Sequence, residues 1–182
     1  MLDACVLYPV RVRDLLLTLA AVDYFDPKWS DEVLDELRRN VLADHPGINP
    51  EAFDNRMVGA MRRAFPHACV NDYRSFVAEV DNDLKDQHVA AAAIAAGASV
   101  IVTDNVKDFG GRTLRRRGIT VQSAATFVLD AIAAEPAAVR LAVEVMASRK
   151  KAPPITADDV IVAVGQLDGW EATARALGGL FE

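Results

Sequence analysis

The stretch from Asp83 to Phe109, DLKDQHVAAAAIAAGASVIVTDNVKDF, constrains the fold of this chain more than any other. Asp83 has the character of a helix N-cap, and Asp86 follows at the spacing of a capping box. Residues Gln87–Ala96 form a helix of small side chains, and Gly97 stands at the position just past its end. Ser99–Thr103 is β-branched, uncharged and apolar, as a strand covered on both faces must be. Asp104 then occupies the carboxyl end of that strand, where ligands collect in an open parallel sheet. A carboxylate there suits a hard divalent cation. Taken singly, Asp86 is explained as a cap and Asp104 as a turn residue, so a metal site requires further acids.

A chain of 182 residues with 52% apolar content suits one domain with an appendage. The net charge of −6 argues against a uniformly basic nucleic-acid-coating protein. It is compatible with a nuclease, whose metal site is itself acidic. Cys5 and Cys69 lack any zinc-ligand spacing and make no disulfide framework. A reducing, cytoplasmic setting is expected. The charge-free run 89–103 is shorter than the ~20 residues that span a bilayer. The N-terminus lacks a basic-then-apolar leader, so neither membrane association nor secretion is expected.

Met1-Leu2-Asp3 is the stub of a first strand. The apolar spacing of Leu15, Leu16, Leu19 and Val22 predicts a helix over 11–22. Tyr24-Phe25-Asp26 is a candidate short strand. Ser30 caps a helix to about Leu42, with Trp29 and Leu34 placed as a hydrophobic staple. Val33, Leu34, Leu37 and Val41 form its buried stripe, and Glu36 lies at the edge. A helix follows over 51–65, closed by Pro66. Residues 67–83 carry a short strand or helix around Phe76-Val77 and then an acidic loop. Beyond Phe109, Gly110-Gly111 opens a basic helical turn to Arg117, and Ile119-Thr120-Val121 is another strand. From Ser123 onward only helical patterns remain, with Pro136 and Thr156 opening two of them. Strands alternating with helices, then helices alone, describe an α/β domain with a helical tail.

Asp3, Glu36, Asp86 and Asp104 can converge at one end of a parallel sheet. Their surroundings resemble the motifs of PIN-domain ribonucleases: Asp3-Ala-Cys-Val-Leu, Trp29-Ser-Asp-Glu-Val-Leu-Asp-Glu36-Leu, Asp83-Leu-Lys-Asp86-Gln-His-Val-Ala and Ile101-Val-Thr-Asp104-Asn-Val-Lys-Asp-Phe109. The resemblance covers about residues 1–123, and the tail is similar to that of the larger VapC-like subgroup. It implies a PIN-like central parallel sheet flanked by helices, with an all-helical C-terminal extension. The implied domains are a metal-dependent nuclease over 1–123 and the extension over 124–182. The implied activity is Mg²⁺- or Mn²⁺-dependent endonucleolytic cleavage of RNA, as the toxin of a toxin–antitoxin pair. Asp3, Glu36, Asp86 and Asp104 would hold the metal, with Thr103 and Asn105 orienting Asp104 and Asp108 as an accessory acid. An antitoxin partner and a homodimer are implied as well.

One departure matters: only two residues precede Asp3, against several in the family's first strand. Either the true start lies upstream, or the strand is a stub that leaves ladder groups unpaired and Asp3 poorly anchored. Lys107 and Arg112, directly after Asp104, are candidates for holding RNA phosphates. A solvated helix face is the alternative, and it suits Arg115, Arg116 and Arg117 better. His45, His67 and His88 show no ligand spacing, although His88 follows Asp86 and could line the pocket. Two other functions stay open. A PIN-like shape could serve purely as a protein-binding module. An aspartyl-nucleophile phosphohydrolase would also place Asp3 after a first strand, but it wants a second acid where Cys5 stands.

Overall fold

The computed structural model describes residues 1–182. Backbone contacts divide them into two compact units, one of residues 1–8 with 27–123, the other of 9–26 with 124–182.

The first unit is mixed α/β. Its short helix α1 (Ala4–Leu7) follows the stub directly, with Asp3 as N-cap. Strand β1 (Trp29–Ser30) runs into helix α3 (Asp31–Asp44), while helix α2 (Val10–Ala21) belongs to the second unit. Ser30 caps α3 by accepting the Val33 N–H at 3.2 Å, and Val33, Leu34, Leu37 and Val41 are buried as the apolar spacing requires. The helix expected over 51–65 is present with one irregularity: α4 (Pro50–Phe53) and α5 (Gly59–Ala64) are joined by a π-helical segment, Asp54–Val58. Strand β2 (Cys69–Val70) was not legible in the sequence, and residues 74–79 around Phe76 form a 3₁₀ helix. Helix α6 (Gln87–Ala95) buries Val89–Ile94 almost completely, which its run of alanines permits by letting neighbours approach closely. Gly97, at φ +61°, turns the chain into β3 (Val100–Val102). Helix α7 (Arg112–Arg116) and β4 (Thr120–Gln122) complete the unit.

All strand pairing is parallel. Trp29 and Ser30 face Cys69 and Val70, while Val100, Ile101 and Val102 face Thr120, Val121 and Gln122. The expected single central sheet is therefore present as two two-stranded pieces. The stub lies between them. Leu2 N–H donates to the Lys28 carbonyl at 2.8 Å, and Leu2 bridges Val102 on its other side. Asp3 N–H donates to the Val102 carbonyl at 3.1 Å, and Val102 N–H to the Met1 carbonyl at 2.8 Å. A strand of two residues is thus paired on both edges, contrary to the expectation of unpaired ladder groups.

The second unit is all helical: α2 (Val10–Ala21), α8 (Ala124–Ala134), α9 (Pro136–Arg149), α10 (Ala157–Gly165) and α11 (Glu171–Gly178). Helix α2 buries Leu15, Leu16 and Leu19 and packs on α9, α8 and α10. Arg149 on α9 donates to Thr18 Oγ1 at 2.8 Å and Asp14 Oδ1 at 3.2 Å on α2. Thr156 and Asp159 form the capping box of α10. No strand forms at 24–26. Asp23 ends α2 in the left-handed region, and Tyr24 and Phe25 instead pack edge-on against Phe127. Aromatic burial outweighs strand propensity there.

Candidate functional site

Asp3 is the most firmly held of the candidate acids, at 3% exposure. Its Oδ1 accepts the Ala4 N–H at 2.6 Å. Its Oδ2 accepts from Thr103 Oγ1 at 2.7 Å and from Cys5 Sγ at 3.2 Å. The poor anchoring expected of a short first strand is therefore absent: the Ala4 amide, Thr103 just beyond β3, and Cys5 in α1 each supply a donor. Thr103 reaches Asp3 rather than orienting Asp104, and the backbone N–H of Asn105 donates to Thr103 Oγ1 at 3.1 Å. Cys5 Sγ also lies 3.3 Å from Thr103 Oγ1 and accepts the Asp104 N–H at 3.3 Å. Burial, and next the charge of Asp3, push the Cys5 thiol up to about 12, so it stays a neutral donor.

Asp86 is 7% exposed and ends a 3₁₀ turn, Leu84–Asp86. That turn lies between Asp83 and the start of α6 at Gln87, so the expected capping box does not form. Asp83 Oδ1 accepts the Lys85 N–H at 3.2 Å, while Asp86 makes no capping bond. Asp86 Oδ2 is buried without a hydrogen-bond partner, its nearest cation being Lys85 Nζ at 4.0 Å. A buried, orphaned carboxylate oxygen is costly and calls for a ligand. Glu36, placed at the edge of the α3 stripe, lies with Oε2 3.6 Å from His88 Nε2, itself buried without a hydrogen bond.

Electrostatics tie three of these acids together. Burial, then the charge of Asp3, raise the Asp86 carboxyl. Burial, then Asp3, also raise Glu36, with His88 opposing and Asp86 adding. Asp104 is exposed and connects to this cluster through its backbone bond to Cys5. Asp108 pairs with Lys85 at 3.1 Å, and its carbonyl accepts the Asp83 N–H. Lys107 and Arg112 are exposed. Cys5 and His88 complete the surroundings, each two residues beyond a candidate acid, which is the only sequence signal either offers.

No three acid, imidazole or thiol groups already close around a single point as a ligand cage. A tetrahedral zinc site, which wants four tight protein ligands, is a poor fit. Mg²⁺ keeps several waters and takes one or two carboxylates directly. An open cluster of coupled carboxylates with one orphaned oxygen fits that ion.

Comparison with known proteins adds lineage. Residues 124–179 match the family described as VapC50 C-terminal domain. A relative from Mycobacterium tuberculosis, named "Putative ribonuclease VapC50", is 33% identical over 106 residues. The chain is thus similar to a VapC protein over part of its length, and its C-terminal helices to the C-terminal domain of that group. The shared region covers 58% of this chain and 63% of that relative's length, so the chain spans less than two thirds of the relative it matches. No solved structure matches.

Proposed function

We propose that this protein is a Mg²⁺- or Mn²⁺-dependent endoribonuclease of PIN-like fold, the toxin of a type II toxin–antitoxin pair acting in the cytoplasm. Nuclease chemistry resides in residues 1–123, and 124–182 form the helical extension. A cognate antitoxin and a second copy of the chain are its protein partners. One observation carries the reading: three mutually repelling acids, Asp3, Glu36 and Asp86, lie close enough to couple, with an orphaned oxygen on Asp86. The ribonuclease named among its relatives supports the substrate class.

Asp3, Glu36, Asp86 and Asp104 would hold the ion. When bound, it supplies Lewis-acid polarisation of a phosphodiester and a water of lowered pKa. Asp3 is held still by Thr103, Cys5 and the Ala4 N–H, which limits the reorganisation needed on binding. Asp86 presents the unpaired oxygen. Glu36 Oε2 faces His88 Nε2 at 3.6 Å. Asn105 fixes Thr103 through its backbone N–H, and Asp108 holds Lys85. Cleavage at the 3′-oxygen would leave a 5′-phosphate and a 3′-hydroxyl.

An aspartyl-nucleophile reading has no observation in its favour, because Cys5 stands where the needed second acid would be. The test is a melting curve with excess Mn²⁺ against one with chelator. Binding to the folded state alone should raise the melting temperature by mass action. Superimposed curves would contradict the shared site.

A further inference from the structure

Beside the carboxylate cluster lies a second, polar cleft of about 420 Å³, lined by Asp81, Asn82, Asp83, Lys107, Asp108, Gly110, Gly111, Arg112 and Arg115. Its acids are all committed to the protein itself. Asp81 Oδ2 accepts the Arg112 N–H at 2.9 Å, and its Oδ1 accepts the Thr113 N–H at 3.0 Å. Asp83 Oδ1 takes the Lys85 N–H, and Asp108 Oδ2 takes Lys85 Nζ at 3.1 Å. Its cations are not committed. Lys107, Arg112 and Arg115 are exposed, and none of their side chains pairs with an acid. Arg117 on the same segment differs, being paired with Glu79 and stacked over Phe76 at 5.6 Å.

The wall of the cleft is built rather than loose. Asp81 occupies the first amides of α7, so those N–H groups are unavailable to an anion and recognition must come from side chains. The approach is so close that a Cβ on Gly111 would lie 2.3 Å from Asp81 Oδ1. Lys85 links this cleft to the cluster, reaching Asp108 on one side and Asp86 on the other.

We propose that this cleft is a phosphate-backbone subsite for the single-stranded RNA flanking the cleaved bond, with Lys107, Arg112 and Arg115 as its cations. The inference rests on the ribonuclease reading for its substrate, and it adds Arg115 and a defined track. Three cations without a salt-bridge partner, over a groove whose acids are each held by hydrogen bonds or an ion pair within the protein, match a run of phosphates. An acidic protein segment is the competing occupant, and it would need apolar anchors that this polar cleft does not supply.

The test is binding of a fluorescent oligouridylate by the full chain in chelator, followed across a salt series. Replacing Lys107, Arg112 and Arg115 together with Gln should weaken binding and make log K against log salt shallower by about 0.7 per lost cation. Arg56→Gln, an exposed change elsewhere, should leave the slope unaltered, and restoring Lys at 112 and 115 should recover most of it. An unchanged slope in the triple variant overturns the subsite. So does an equal loss in Arg56→Gln, or a selective loss of poly-glutamate binding in the triple variant. Cleavage in Mn²⁺ is scored separately. Wild type that binds through these cations yet cleaves no RNA upholds the subsite and sinks the nuclease; wild type that cleaves while the triple variant binds and cleaves equally does the reverse.

Discussion

At the scale of single residues, Asp86 separates a structural carboxylate from one kept for a ligand. A cap replaced by a poor substitute costs about 1 kcal/mol. Asp86 makes no capping bond, and the charge of Asp3 disfavours its ionisation. Asp86→Asn should therefore leave the metal-free protein at least as stable as wild type in chemical denaturation, while abolishing stabilisation by Mn²⁺. The pH dependence has a definite sign. Asp86 and Glu36 both have folded-state values raised by burial and by Asp3, so each destabilises the metal-free protein fully above its raised value. That destabilisation is relieved as pH falls toward the ordinary carboxylate range. Metal-free wild type should gain stability through this window relative to Asp86→Asn, and parallel curves would refute the coupling. Cys5 offers a second test. Its thiol donates to the Asp3 side chain, so Cys5→Ala should cost about 1 kcal/mol, and Cys5→Ser should recover much of it. With its thiol raised to about 12, Cys5 should resist alkylation at neutral pH until the protein unfolds.

At the scale of elements, the segments with strong periodicity or clear caps were legible. The stripe of α3, the Ser30 cap, the Gly97 turn and the Thr156 cap all form as the residues dictate. What escaped was decided by tertiary neighbours. Two-residue strands such as Cys69–Val70 and the Leu2 stub have no period to read, and only their parallel partners define them. The Asp83/Asp86 spacing suggested a capping box, but the 3₁₀ turn turns Asp86 inward. Asp3, Glu36 and Asp86 could be chosen from the sequence, whereas the Cys5 and His88 contacts depend on helix and strand ends meeting in space. The loop–helix junction at α7 is open to test. Asp81, lowered to about 2 by the Arg112 and Thr113 amides, contributes stability above the ordinary Asp value that is lost as pH falls from there toward 2. Gly111→Ala should lower the melting temperature by displacing Asp81. Combined with Asp81→Ala it should be markedly less than additive, because the two changes break the same contact.

At the scale of the molecule, helix α2 belongs with the C-terminal helices although it lies far from them in sequence. A truncation after Ser123 should therefore uncover Leu15, Leu16 and Leu19 and cause aggregation, measurable by size-exclusion chromatography. A monodisperse, soluble fragment would argue that α2 needs no such cover. The fold brings electrostatically coupled acids together, with a polar cleft beside them, and the central claim is that these acids hold a divalent ion for RNA cleavage. The most direct measurement is cleavage of end-labelled RNA by purified wild type and Asp86→Asn, each in Mn²⁺ and in chelator. Wild type with Mn²⁺ should release 5′-phosphorylated products, and the other three reactions should fall to background. Equal cleavage in chelator, or an Asp86→Asn variant that cuts at the wild-type rate, would contradict the account.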